Sequence, residues 1–254
     1  MAVAFLLVQL SDPHIGATWG GRDPVAGLVA AVESVRLLPD RPDAVLVSGD
    51  LADHATDAEY ERVRNVLGLL DVPVYVLPGN HDDRDSLRRH FDLPGTTGTP
   101  VQYAVDLGPL RLVMLDSTRP GEARGELDAA RLAWLDRELG AAPDQLTMLA
   151  MHHPPLSTGS PPWDATAGLP AADRRGLGEV LMRHPQVRRI VAGHVHRTMA
   201  SDLAGRVVLA APSTYVQGRF SFTSAEIELL DEPSGYTVHA LLDGEFSSHV
   251  QAVA

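Results

Sequence analysis

No cysteine occurs among the 254 residues of the chain. That absence excludes disulfides and thiolate metal sites, so any metal has to be held by nitrogen and oxygen. Long hydrophobic runs are missing too. No window approaches the roughly 18 apolar residues needed to span a membrane. The opening MAVAFLLVQL is apolar but short. It has neither a basic n-region nor a small-residue cleavage site, so it reads as a strand and not as a signal peptide. Lack of cysteine and of a signal fits a cytoplasmic location. Positive charge is scarce: 21 Lys+Arg against 33 Asp+Glu leave a formal net charge of −12. Proteins that grip long nucleic acid usually present a basic face, and here the arginines are scattered in short clusters. Long nucleic acid is therefore not an expected partner. A small phosphate ester remains compatible if something cationic sits in the site, and metal ions would serve.

The remaining composition, 44% hydrophobic and 21% charged, is ordinary for a globular protein. We find no internal repeat, linker or low-complexity tract, so one domain over residues 1–254 is expected. Short apolar runs alternate with amphipathic stretches through the first two-thirds. AFLLVQL, DAVLVSGD, PVYVLPGNHD, LRLVMLDS, LTMLAMHHPP and VRRIVAG read as strands. Helical spacing marks DPVAGLVAAVESVRLL, with Asp23 as N-cap and Pro24 in the first turn, and TDAEYERVRNVLGLL, capped by Thr56 or Asp57. Further helices follow at DRDSLRRHF, GELDAARLAWLDRELG (with Gly140 as stop signal) and AADRRGLGEVLMRH. After residue 197 come RVVLAAPS, SAEIELLD and GYTVHALLD, strands without intervening helices, which predict an antiparallel tail over about 198–243. Such a pattern predicts a two-sheet α/β sandwich flanked by helices. Loop 154–170 is long, and long loops are often functional.

The strand ends carry the chemistry. The first ends in SDPH, with Asp12 and His14, and the second in SGD, with Asp50. PGNHD supplies Asn80, His81 and Asp82, MHHPP supplies His152 and His153, and VAGHVHR supplies His194 and His196. A histidine pair at i and i+2 on an extended backbone points both rings one way, as a two-toothed chelate would. Taken singly each piece has a bland alternative: DPH as a turn, Asp50 as a cap, the His152–His153 pair as an ordinary strand exit. Their joint occurrence at strand ends is the signal, since ligands of open α/β sheets gather at the carboxyl edge. Imidazole, carboxylate and amide donors suit Mn²⁺, Fe²⁺/Fe³⁺, Zn²⁺ or Co²⁺. One carboxylate can bridge two ions about 3.5–4 Å apart, and such a pair lowers the pKa of a bound water and neutralises phosphoryl charge in an in-line displacement.

The series DPH, GD, GNH, HH and GHVH, in that order over residues 12–196, resembles the calcineurin-like metallophosphoesterase superfamily. Length, the GELDAARLAWLDREL helix and MHHPP look most like class III cyclic nucleotide phosphodiesterases and their glycerophosphodiesterase relatives. The resemblance implies a four-layer α/β/β/α sandwich and a site for two divalent or mixed-valence transition metals. It implies that Asp12, His14 and His196 hold one metal, that Asn80, His152 and His194 hold the other, and that Asp50 bridges. His153 is the alternative to His152. His81 matches the non-ligand histidine beside the metals, where it could protonate a leaving alkoxide or steady the phosphoryl oxygens. The implied activity is hydrolysis of small phosphodiesters by a metal-bridging hydroxide. 3′,5′-Cyclic nucleotides are the preferred substrates, and glycerophosphodiesters or a broad range the alternative. A metal-binding protein without turnover is the contrasting reading, and it would need no His81.

Other residues receive lesser roles. His54, His90, His184, His239 and His249 lie off the pattern and read as surface or structural groups. Asp53, Asp82 and Asp116 could orient ligand histidines or simply cap turns. Trp163 reads first as packing and second as a base-stacking wall. Substrate choice is expected in loops 15–24 and 154–170. A homodimer is one assembly open to the chain.

Overall fold

A computed structural model describes residues 3–253. Its elements run β1 (Val3–Leu10), α1 (Pro24–Arg36), β2 (Ala44–Val47), α2 (Asp57–Leu67), β3 (Val74–Val76) and α3 (Arg84–Phe91). They continue with β4 (Tyr103–Asp106), β5 (Arg111–Met114), α4 (Ala129–Gly140), β6 (Thr147–Ala150), α5 (Ala171–Arg183), β7 (Val187–Ala192), β8 (Met199–Leu203) and β9 (Arg206–Ala210). The hairpin β10 (Gln217–Arg219) and β11 (Glu228–Leu230) precedes the long pair β12 (Gly235–Leu242) and β13 (Glu245–Ala252).

Strand alternation sorts these elements into layers. On β1, Val8 and Leu10 enter a core shared with α1 and α2, where Leu28, Val32, Tyr60 and Val63 are also buried. Phe5 and Leu7 point the other way, into a core with Met114, Met148 and Val191 of the second sheet. The far face of that sheet packs Leu149 and Ile190 against Leu135 of α4 and Leu177 of α5. Helices, sheet, sheet and helices therefore stack in four layers. Each fully buried Leu or Val in them contributes about 1.5–3 kcal/mol.

Caps set where the helices begin. The Asp23 carboxylate accepts from the Val25 N–H, with Pro24 in the first turn. Thr56, not Asp57, caps α2, and Glu59 completes a capping box. Gly140 ends α4 as its last helical residue, with Ala141 as the C-cap.

The first sheet has order β13-β12-β1-β2-β3 and the second β4-β5-β6-β7-β9-β8. Parallel register aligns Leu10 with Val47 and Val47 with Val76 in the first sheet. In the second it aligns Met114 with Ala150 and Ala150 with Val191. Six strands thus stop at one edge. The tail departs from the expectation of antiparallel strands. β8 turns back antiparallel, and β9 inserts between β8 and β7, so β9 runs parallel to β7. β12 and β13 join β1 and extend the tail to Ala252. β4, β8 and β13 carry no clean apolar alternation; their residues are mostly half-buried or exposed, and pairing rather than patterning makes them strands.

Candidate metal centre

The loops leaving the aligned strand ends are stitched together by backbone. Asp12 N–H donates to the Gly49 carbonyl at 3.1 Å and His14 N–H to the Asp50 carbonyl at 2.9 Å. Five residues from the motifs take left-handed backbone: Asp12 (φ 51°), His14 (45°), Asp50 (51°), His194 (70°) and His196 (49°). Such conformations cost about 1–3 kcal/mol each and persist where the surroundings over-determine them. The His194–His196 pair is therefore not extended, contrary to the expectation from its spacing. Its two rings go to adjoining clusters, His196 to His14 (centroids 4.9 Å) and His194 to His152 (5.0 Å).

Glycine precedes three of the motif positions because a neighbouring side chain fills the space. A Cβ on Gly49 would lie 2.3 Å from His152 Nδ1, one on Gly79 2.1 Å from Asp50 Oδ1, and one on Gly193 2.8 Å from Asp12 Oδ2.

The donor atoms converge in two clusters that share Asp50. His14 Nε2 stands 3.0 Å from His196 Nε2 and 3.4 Å from Asp50 Oδ2. His196 Nε2 is 3.7 Å from Asp12 Oδ1. On the other side, His152 Nε2 is 3.3 Å from the same Asp50 Oδ2 and 3.1 Å from Asn80 Oδ1. Asp12, His14, Asp50, His152, His194 and His196 are all buried, whereas Asn80 is half-buried.

Proton positions follow from the opposite ring edges. His14 Nδ1 faces the Asp53 carboxylate at 2.9 Å, His152 Nδ1 the Ser48 carbonyl at 2.8 Å, and His196 Nδ1 the Val216 carbonyl at 3.0 Å. These partners only accept, so each ring carries a hydrogen on Nδ1 and turns Nε2 toward the centre; at His152 burial is outweighed by the Asp50 and Asp12 carboxylates, which raise its pKa to about 9. Burial pushes His196 down to about 4, with Asp12 opposing and His14 assisting. Two lone pairs at 3.0 Å repel unless a cation or proton lies between them. His194 Nε2 is buried without any hydrogen-bond partner, and burial, then the charges of His153 and His152, hold its pKa well below the usual value. For Asp50, burial opposes ionisation, but His152 and His14 outweigh it and hold its pKa well below the usual range. Carboxylate oxygens converging with imidazole nitrogens at one buried point fit metal ions, and the buried His/Asp clusters suggest a dimetal site.

His153 belongs to the same buried group, but both its ring nitrogens have partners, Ser117 Oγ at 2.9 Å and the Ala123 carbonyl at 3.1 Å. His81 lies at the rim with its side chain 36% exposed. Its Nδ1 is 3.3 Å from Asp53 Oδ1 and 3.1 Å from the Asp53 carbonyl, while its N–H donates to Asp50 Oδ1. Burial raises the Asp53 pKa, but the hydrogen bond and charge of His14, the charge of His81 and the Trp19 N–H together bring it below its usual value. Asp53 thus orients His14. Asp82 instead accepts from Gly79, Leu51 and Ala52 N–H groups, tying one loop to the next. Asp116 accepts from Val101 and Thr118 and pairs with Arg84. Neither touches a ligand histidine.

A cleft of about 450 Å³ opens beside Asn80 and His81, lined by Arg84, Thr118, Arg119 and Gly121 among others. It is formed by loops following β3 and β5, whereas Trp163 of loop 154–170 is buried against Val195 and Ala210. That loop closes on itself, because the Asp164 carboxylate accepts from Ser157, Thr158 and Gly159. A signal for the β5 loop was present: DSTRPG also follows a strand end. Trp19, whose ring lies 4.9 Å from His14 and whose N–H donates to Asp53, was signalled by its place just after DPH. His90, His184 and His249 pair with Asp57, Asp136 and Ser247 away from this edge, whereas His54 pairs with Glu59 and stands 3.6 Å from Asp53 Oδ2.

Comparison with known proteins agrees with this geometry. The model of the calcineurin-like phosphoesterase family matches residues 5–198. The glycerophosphodiester phosphodiesterase GpdQ of Enterobacter lignolyticus is 35% identical over 220 residues, covering 84% of this chain and 78% of its own. The 3′,5′-cyclic adenosine monophosphate phosphodiesterase CpdA of Pseudomonas aeruginosa is 34% identical over 217 residues, covering 84% and 77%. A dimetal phosphatase from Danio rerio superposes with a TM-score of 0.73 at 16% identity, covering 100% of this chain and 98% of that one, a likeness of fold. Among the described residues, no helix is long and apolar enough to cross a membrane.

Proposed function

The chain belongs to the calcineurin-like phosphoesterase family, and from that premise we propose that it is a dimetal phosphodiesterase acting on small phosphodiesters, 3′,5′-cyclic nucleotides first among them. The observation that carries the reading is Asp50 Oδ2, which stands 3.4 Å from His14 Nε2 and 3.3 Å from His152 Nε2, between two sets of free donors. Asp12, His14 and His196 would hold one metal, and Asn80, His152 and His194 the other, with Asp50 common to both. His152 is preferred to His153 because its Nε2 faces both Asp50 Oδ2 and Asn80 Oδ1, whereas the His153 ring meets Ser117 and the Ala123 carbonyl. Two transition ions held this way would supply Lewis acidity toward the phosphoryl oxygens and toward water.

The chain's own groups do the rest. Asp53 occupies the Nδ1 side of His81, so Nε2 is the nitrogen left to deliver a proton to the departing alkoxide. Asp53 also holds His14, so a single carboxylate orients both rings. The cleft beside them takes the organic part of the ester. Six of the related proteins carry names of cyclic nucleotide phosphodiesterases, which supports the preferred substrate class. A second reading, glycerophosphodiester hydrolysis, is favoured by the lining of the cleft, which includes charged and hydroxyl side chains but no Phe, Tyr or Trp ring for stacking a base. The test is a set of initial rates on 3′,5′-cAMP, a glycerophosphodiester and bis(p-nitrophenyl) phosphate after chelation and Mn²⁺ reconstitution. Chelation abolishes hydrolysis and Mn²⁺ restores it; full activity in metal-free protein refutes the proposal.

A further inference from the structure

On the face of β1 that looks toward the second sheet, Phe5 and Leu7 are apolar, but the next residue in line is Gln9, with no solvent exposure. A carboxamide buried in an apolar layer is costly unless every polar atom is partnered. Here each is. Nε2 donates to Ser48 Oγ at 2.8 Å and to the Ala192 carbonyl at 2.9 Å, and Oε1 accepts from His239 Nε2 at 3.1 Å. The Ala192 carbonyl settles the amide's orientation, because the flipped group would set two acceptors face to face. One side chain therefore joins β1 to the end of β2, to β7 in the other sheet and to β12. Asp50 and His194 leave from the first two of those ends.

The hydrogen bonds run on toward the metal centre. Ser48 Oγ lies 2.7 Å from Ser11 Oγ, which lies 2.5 Å from Asp12 Oδ2. The carboxylate only accepts, so with the amide supplying the first hydrogen the donors point one way, from Gln9 through Ser48 and Ser11 to Asp12. Asp12 in turn accepts from the His194 N–H at 3.0 Å.

We propose that Gln9 is a positioning residue: through Ser48 and Ser11 it sets where the Asp12 carboxylate stands, and through Ala192 it sets where the His194 loop begins. The inference rests on the reading of Asp12 and His194 as metal ligands. Calorimetric titration of chelator-stripped protein with Mn²⁺ tests both and separates them. Wild-type protein that binds fewer than two Mn²⁺ per chain overturns the metal-centre reading, and this proposal with it, before any variant is made. Given two sites, Gln9→Met weakens both Mn²⁺ binding steps and Ser48→Ala the Asp12 step, by about 10-fold each, and the double variant loses no more than Gln9→Met alone, as links of one chain do. Leu241→Ala, an apolar change in the same layer, lowers the melting temperature but leaves both Mn²⁺ constants at their wild-type values. If Gln9→Met does not fold, Ser48→Ala against Leu241→Ala decides. Unchanged Mn²⁺ affinity in the folded variants, losses that add in the double variant, or an equal loss in Leu241→Ala overturns the proposal.

Discussion

Replacing Gly79 by alanine tests the packing of the centre with one methyl group. Gly79 needs no left-handed backbone, so contact alone opposes the change. The new Cβ would lie 2.1 Å from Asp50 Oδ1 and 2.2 Å from the Asp50 nitrogen. Carbon needs about 3.5 Å, so the shortfall is roughly 1.4 Å. A side chain could swing aside, but a backbone nitrogen cannot, and the loop after β2 has to shift. Overpacking of this kind costs about 1–3 kcal/mol of stability. The larger effect falls on Asp50 Oδ2, which stands between His14 and His152. A displacement of about 1 Å in a catalytic constellation costs on the order of 10²-fold in rate. The assay is threefold: melting temperature, Mn²⁺ bound per chain, and initial rate on a cyclic nucleotide. Gly178→Ala is the control, because its Cβ would sit 3.7 Å from Leu203 Cδ1 in the middle of α5. It should stabilise by about 0.5–1 kcal/mol and leave turnover alone. A Gly79→Ala protein with two Mn²⁺ and wild-type turnover would refute the reasoning.

His152→Ala should lose one Mn²⁺ per chain, whereas His153→Gln should keep both, because Ser117 and Ala123 already occupy that ring; metal analysis of the folded variants decides. His81→Ala should retain its metals and lose about 10²–10⁴-fold on a cyclic nucleotide, and less on a nitrophenyl diester, whose leaving group needs no proton; equal losses on both substrates point to a role at the phosphoryl oxygens instead. His239 is buried between the sheets, and burial, then Arg189, pushes its pKa down to about 3. Because an unfolded histidine titrates near about 6.5, the unfolded chain takes up a proton that the folded one refuses. This group's contribution is present above that pH and is lost as pH falls toward 3. Denaturant titrations of metal-free protein at pH 6 and pH 4 should show wild type losing up to about 1.4 kcal/mol per pH unit more than His239→Gln; parallel pH profiles would exclude the effect.

Several features of the fold were legible because they depend on local rules. Asp23, Thr56 and Glu59 announce helix starts through side-chain hydrogen bonds that span two or three residues. The buried parallel strands β2, β5, β6 and β7 are apolar enough to be read directly. By contrast, β8 and β13 became strands only because β9 and β12 offered ladders to pair with. Likewise β9 runs parallel to β7 because β8 took the edge position, a choice about space that its own five residues do not encode.

The candidate centre divides along the same line. The order DPH, GD, GNHD, HH and GHVH put Asp12, His14, Asp50, Asn80, His81, His152, His194 and His196 at strand ends, and parallel register carries strand ends to one edge whatever lies between them. That much is in the sequence, since residue type and spacing along a strand are one-dimensional facts. Which ring nitrogen is left free is not. The difference between His152 and His153, adjacent and alike in sequence, is made by the Ser48 carbonyl on one ring and by Ser117 with the Ala123 carbonyl on the other. The His14–Asp53–His81 grouping and the Gln9 chain arise the same way, from groups brought together across 28 to 230 positions of sequence. Backbone carbonyls are identical in every residue, so only the folded chain decides which of them a histidine meets.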